Sequence, residues 1–120
     1  MALWFGAHFL PEAKPTGQGL GRMASDNIDM LRANGRDYLW IKATRLDAVY
    51  GLTDLMDEAL VVAGKIHIPV LYLYGQHDEI IPAGPAHQAM TAMKAANNMT
   101  RTAIYPNGWH MLMRDREAPL

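Results

Sequence analysis

Two polar clusters follow apolar, β-favouring runs and hold the side chains best suited to chemistry. The run IPVLYLY ends in Gly75 and then residues 76–79, Gln-His-Asp-Glu, and the run TRTAIYP ends in residues 107–110, Asn-Gly-Trp-His. A carboxylate bonded to one imidazole nitrogen holds the ring in one tautomer and stabilises the cation formed when the other nitrogen takes a proton. Asp78 and His110 are therefore the candidate catalytic acid and base, two members of a hydrolytic triad.

These side chains also have simpler interpretations. Asp78 could close the turn after its strand through an Asx hydrogen bond, and His110 could be an ordinary loop histidine beside Trp109. Glu79 is the second candidate acid, and we expect it to face solvent. A metal site formed by His77, Asp78 and His110 is a further alternative, but the His-x-x-x-His spacing and a fourth ligand are missing. The sequence thus favours neither a metal nor a cofactor.

The segments that must position the pair predict an α/β arrangement. Ile66–Tyr74 has the nearly continuous apolar character of a parallel strand covered on both faces. A helix is predicted over Gly84–Ala96, and the run from Thr100 predicts a second strand. Strand, helix and strand in this order indicate a parallel βαβ unit, with both polar clusters at the same carboxyl edge. Because neighbouring strands lie about 5 Å apart, we expect Asp78 and His110 side by side.

The first half of the chain predicts helices. A short helix is expected over 25–35, with Ser25 or Asp26 as its N-cap and Gly35 as its stop. Apolar residues recur at intervals of three and four over Thr44–Ala63, which predicts a helix of about five turns. The intervening DYLWIKA is interpreted as a short strand or an extended piece. The first ten residues are interpreted as an amphipathic surface segment, and MLMRDRE near the C-terminus as a short helical start.

Composition excludes several function classes. Half of the 120 residues are apolar, 19% are charged and the net charge is −1, which suits one globular domain and argues against nucleic-acid binding. The absence of cysteine excludes disulfides, thiolate catalysis and Cys-ligated metals. The apolar start lacks a preceding Lys or Arg and is too short to cross a bilayer, so we expect no membrane span and a cytoplasmic location. Ser25 is the single serine.

The segments PVLYLYGQHDEIIP and YPNGWHMLMRD resemble the last third of α/β-hydrolase-fold serine hydrolases, in the lysophospholipase and monoacylglycerol lipase branch. In that family the acid lies in a Gly-x-x-Asp-x-x-x-Pro pattern after a strand, and the base in a Tyr-Pro-Gly-x-x-His-like loop. The matching positions are Gly75, Asp78, Pro82, Tyr105, Pro106 and His110. The order of acid before histidine also fits this fold.

The resemblance implies a partial α/β-hydrolase fold in a single incomplete domain. Residues 1–63 would form a helical cap-like segment, and residues 64–120 the C-terminal βαβ portion. The family's Gly-x-Ser-x-Gly nucleophile elbow is absent, and Ser25 in RMASDNI lacks the flanking glycines, so we expect it to be a helix cap. The chain would be the C-terminal part of a serine ester hydrolase for lipid-like esters, supplying Asp78 and His110 without a cofactor and inactive alone.

A different class of function stays open beside the hydrolase. Two parallel strands cannot cover their own edges and faces, so a missing half of the sheet would leave apolar surface in search of a partner. The alternative is therefore a non-catalytic interaction module. In either case we expect a homo-oligomer formed through the exposed sheet edge or an apolar face.

Overall fold

The computed structural model describes residues 2–16 and 19–118, and these combine helices with a two-stranded parallel sheet. The elements are α1 (Ala2–Phe9), α2 (Ile28–Arg36), α3 (Leu46–Val62), β1 (Val70–Gly75), α4 (Ala83–Ala96) and β2 (Thr100–Tyr105), with 3-10 turns at Ala63–Lys65 and Leu112–Arg114. This architecture confirms the predicted partial α/β fold. None of the helices in the described part of the chain has the length and apolar character needed to cross a membrane.

The parallel register of the sheet brings the two polar clusters together. Val70 pairs with Thr100 and Gly75 with Tyr105, so both strands end at the same level. The backbone N–H of Gln76 then donates to the Tyr105 carbonyl at 2.9 Å and continues the strand pairing into the first loop. The chain therefore leaves both strands at one edge, as the βαβ pattern predicts.

β1 begins later than expected and is covered on one face. The predicted start at Ile66 is wrong, because the strand begins at Val70, directly after Pro69, which has no N–H to donate to a neighbouring strand. Helix α4 covers one face, where Tyr74 is buried with residues of that helix. Leu71 points to the other face and is 66% exposed, so the expected cover on both faces is not present in the described residues.

The N-cap of α2 differs from the prediction. Asn27 is the capping residue, and its Oδ1 accepts a hydrogen bond from the backbone N–H of Met30 at 3.1 Å. The expected caps, Ser25 and Asp26, lie before the helix and make other contacts. Gly35 is inside the helix rather than its stop, since α2 continues to Arg36.

Helix α3 confirms the predicted long helix within two residues at each end, and it packs against α1. The two helices approach closely where Gly6 meets Leu46, since a Cβ on Gly6 would lie 2.9 Å from the Leu46 Cδ1 atom. The DYLWIKA segment forms no strand. Its last residue, Ala43, makes a single antiparallel bridge with Thr16. The division of the chain at residue 63 stays a prediction, and that position is where α3 passes into a 3-10 turn.

Candidate active site

The side chains of Asp78 and His110 are in direct contact at the carboxyl edge of the sheet. His110 Nδ1 lies 3.0 Å from Asp78 Oδ2. The Asp78 side chain is 7% exposed and the His110 side chain 38%, so the acid is enclosed while the base is open to solvent. A carboxylate can only accept, so this contact selects the tautomer with its proton on Nδ1 and leaves the Nε2 lone pair free to take a proton.

The two oxygens of the Asp78 carboxylate make different contacts. Its Oδ1 accepts hydrogen bonds from the backbone N–H groups of Ile80 and Ile81, each at 2.8 Å. This is the Asx-type turn that often follows a strand. Its Oδ2 is then directed at His110. The turn thus orients the carboxylate for its contact with the imidazole.

Two glycines allow the acid and base loops to meet. A Cβ on Gly75 would overlap the Gly108 carbonyl and lie 2.7 Å from the Trp109 nitrogen. A Cβ on Gly108 would lie 3.0 Å from the Gly75 Cα. The His77 N–H also donates to the Gly108 carbonyl at 2.8 Å, which joins the two backbones. Since φ is negative at both glycines, close approach rather than backbone conformation requires glycine here.

Two tyrosines on the α4 side of the sheet lie near the acid. Burial raises the pKa of both Tyr72 and Tyr74, and the Asp78 carboxylate raises each pKa further. The Tyr74 hydroxyl donates to the Ile81 carbonyl at 3.0 Å. Tyr74 is therefore held as a neutral hydroxyl that anchors the loop carrying the acid.

The other candidates in the first polar cluster do not join the pair. Glu79 is exposed, as predicted. Its Oε2 also accepts a hydrogen bond from the Met23 backbone N–H at 2.7 Å. The His77 ring packs edge-on against Trp109, with 5.4 Å between ring centroids. Across residues 2–16 and 19–118, no group of three or more His, Cys, Asp or Glu side chains is arranged to hold a metal ion. The geometry thus offers no support for the metal alternative.

Ser25 is enclosed and engaged with another side chain. It is 0% exposed, and its Oγ donates to Asp115 Oδ1 at 2.5 Å. Its Oγ also accepts the Asn27 backbone N–H at 3.2 Å. A hydroxyl in this position is closed off from solvent, which does not fit the exposed nucleophile of a serine hydrolase. The sequence does not point to Asp115, because no spacing pattern relates Ser25 to a residue 90 positions away.

Two hollows lie near the site, on opposite faces of the sheet. An apolar cleft of about 530 Å³ runs between α3 and α4 and reaches the acid loop at Ile81 and Pro82, without contacting the Asp78–His110 pair. A smaller hollow of about 400 Å³ is lined by the base. Its described lining consists of Leu73, His110, Met111, Leu112, Met113 and Arg114. The smaller hollow is therefore the one next to the Asp78–His110 pair.

The family model described as "Serine aminopeptidase, S33" matches residues 1–117. The chain belongs to this family. The S33 family lies within the α/β-hydrolase superfamily, which confirms the resemblance at the level of the superfamily and shows a hydrolase-type function. No curated protein matches the chain.

Membership in the S33 family shows a hydrolase, which is a broader statement than the predicted ester hydrolase for lipid-like esters. The family includes peptidases, so neither the ester bond nor the lipase type follows from it. The lysophospholipase branch likewise stays a prediction. The geometry brings Asp78 and His110 together as expected, and their catalytic role stays a prediction.

Proposed function

We propose that this chain supplies the acid and the base of a serine hydrolase that cleaves lipid-like carboxylic esters. The contact of 3.0 Å between His110 Nδ1 and Asp78 Oδ2, with the base open to solvent, carries the proposal. The 120 residues contain no Gly-x-Ser-x-Gly segment, and Ser25 is enclosed, so the nucleophile must come from residues outside this sequence.

The proposed chemistry uses the free nitrogen of His110. Nε2 takes the proton from the serine hydroxyl as its oxygen forms a bond to the ester carbonyl carbon. The same proton then passes to the leaving alkoxide as the ester C–O bond breaks. Water next attacks the acyl-serine with the same help from Nε2, and the carboxylic acid product is released. Asp78 stabilises the imidazolium in both halves and remains a carboxylate throughout.

The surroundings of His110 favour an uncharged, apolar substrate over an aminopeptidase substrate. Leu73, Met111 and Met113 supply apolar surface in the hollow beside the base, and Arg114 is the charged member of its described lining. An aminopeptidase must receive the ammonium group of its substrate, which a carboxylate would stabilise and an arginine would repel. The hollow therefore suits an acyl chain better than a peptide N-terminus.

The isolated 120-residue chain should be inactive. We expect neither turnover of p-nitrophenyl butyrate nor labelling by a fluorophosphonate probe, with Ser25→Ala as the matched control. Turnover that disappears in His110→Gln, or labelling of Ser25 itself, would show that the nucleophile lies within the chain and would overturn this part of the proposal.

A longer polypeptide that carries a Gly-x-Ser-x-Gly segment upstream of this chain tests the substrate class. We expect hydrolysis of p-nitrophenyl octanoate to exceed hydrolysis of leucine p-nitroanilide. Asp78→Asn should lower kcat on the ester by about 10⁴-fold and His110→Gln by about 10⁶-fold, the losses seen when the acid or the base of a triad is removed. Preference for the anilide would instead assign an aminopeptidase, and unchanged kcat in both variants would remove the pair from catalysis.

The exposed face of the sheet favours a second function, self-association. Leu71 is exposed on the face that α4 does not cover, and the outer edge of β1 has no partner strand in the described part of the chain. We propose that a second copy of the chain covers this face, and light scattering at high micromolar concentration should then show a dimer. Leu71→Lys should weaken the dimer and Leu55→Lys, on the exposed surface of α3, should not. A strictly monomeric chain would exclude this function.

A further inference from the structure

Residues 23–27 lie just before α2 and form hydrogen bonds with both loops of the candidate site. The Met23 N–H donates to Glu79 Oε2 in the acid loop at 2.7 Å. Four more hydrogen bonds reach the base loop and the residues after it. They run from Met111 N to Ala24 O (2.9 Å), from Ser25 Oγ to Asp115 Oδ1 (2.5 Å), from Asn27 Nδ2 to Arg114 O (3.0 Å) and from Arg116 N to Asp26 Oδ1 (2.9 Å).

The backbone amides on both sides of His110 are engaged by this arrangement. The Trp109 N–H donates to Asp115 Oδ2 at 2.7 Å, and the Met111 N–H donates to the Ala24 carbonyl at 2.9 Å. Backbone rotation beside His110 is therefore restricted in both directions. Because the side chain leaves the backbone between these two anchors, they set the direction in which the imidazole points.

Asp115 is the centre of the arrangement. The residue is 6% exposed, and each of its carboxylate oxygens has a partner, Ser25 Oγ on one and the Trp109 N–H on the other. A buried carboxylate holds its position only when hydrogen bonds replace the water it has lost. The Ser25 hydroxyl therefore keeps Asp115 oriented towards the backbone of the residue that precedes the base.

We infer that Ser25 and Asp115 are positioning residues that hold His110 in contact with Asp78. They touch neither the imidazole nor any reacting atom, and they act through the Trp109 amide and the loop it belongs to. The inference concerns the same pair as the proposed function. Its test reads the tautomer of His110 and requires no hydrolysis, so either claim can fail without the other.

The test is ¹⁵N NMR of the imidazole rings in the labelled 120-residue chain at about pH 8.5, where an ordinary histidine is neutral. The His110 signal is assigned with His110→Gln. We expect the unmodified chain to show His110 with its proton on Nδ1, because the Asp78 carboxylate accepts that proton. Asp115→Asn keeps the shape of the side chain but replaces one acceptor by a donor, and we expect at least a twofold loss of the Nδ1–H population.

Glu117→Gln is the matched control. It removes the same charge two residues further along, where Glu117 Oε2 accepts from the Asn107 side chain at 3.2 Å and bonds to no backbone amide beside His110. We expect the unmodified spectrum. An unchanged tautomer in Asp115→Asn, or an equal loss in Glu117→Gln, would overturn the positioning role.

Two further variants keep the test decisive. Ser25→Ala leaves Asp115 its bond to Trp109, so we expect a smaller loss of the Nδ1–H population of His110. This variant becomes the deciding one if Asp115→Asn loses the dispersed amide spectrum of a folded chain. An unchanged Nδ1–H population in Ser25→Ala would then refute the positioning role. Asp78→Asn should also lose the Nδ1–H preference. If it does not, the contact between acid and base has failed, and with it the proposed function.

Discussion

The close approach of Gly75 and Gly108 makes Gly75→Ala the most informative single substitution. The added Cβ would overlap the Gly108 carbonyl and would sit 2.7 Å from the Trp109 nitrogen, about 0.7 Å short of an ordinary contact of 3.4 Å. Both neighbours are backbone atoms, so no side chain can rotate out of the way. The base loop must move by at least that amount.

The magnitude follows from the contacts this movement disturbs. Overpacking against backbone costs about 1–3 kcal/mol. The hydrogen bond from the His77 N–H to the Gly108 carbonyl contributes about 0.5–1.5 kcal/mol and is weakened. The lower entropy of the unfolded alanine chain offsets about 0.4–1 kcal/mol. We therefore expect Gly75→Ala to lower the free energy of unfolding by about 2 kcal/mol.

Urea denaturation measures this change, with Gly84→Ala as the control. Gly84 lies in the first turn of α4, and a Cβ there would meet nothing within 4 Å, so alanine should leave stability unchanged or raise it by up to about 1 kcal/mol. The imidazole spectrum should also show that His110 in Gly75→Ala has lost the Nδ1–H preference. Free energies of unfolding for the two variants that agree within about 0.5 kcal/mol would refute the close-approach argument.

Two further predictions concern buried polar groups. Ser25→Ala leaves Asp115 Oδ1 without its partner and should lower the free energy of unfolding by about 1–3 kcal/mol, whereas Thr53→Ala, which removes an exposed hydroxyl bonded to a helix carbonyl, should change it little; equal effects in urea would contradict the buried bond. Burial and then the Asp78 charge raise the pKa of Tyr74 above its ordinary value of 10.0, so the unfolded chain releases that proton first. The free energy of unfolding should therefore fall as the pH rises beyond about 10, by up to about 1.4 kcal/mol per pH unit. Tyr74→Phe should reduce this dependence on pH. Urea midpoints at pH 8, 10 and 11 that do not fall would contradict the prediction.

The elements that position the candidate site were predictable because their signals are local. Apolar runs and turn residues predicted β1, α4 and β2, and the βαβ rule then placed both polar clusters at one edge. The errors also have physical causes. Pro69 shortened β1, and Asn27 displaced Ser25 as the cap of α2 because its carboxamide reaches the Met30 N–H.

The sequence alone determined that an acid and a histidine follow two parallel strands. Hydrophobic periodicity is a property of neighbouring residues, and the order strand, helix, strand along the chain favours parallel pairing. Only the tertiary structure decided what holds the pair together. The contact of Gly75 with Gly108 and the bond between Ser25 and Asp115 join residues 33 and 90 positions apart. The glycine contact arises because the pairing of β1 with β2 brings the ends of both strands to one level, whereas Ser25 meets Asp115 through the packing of two loops. No local spacing in the chain records which of these partners will meet.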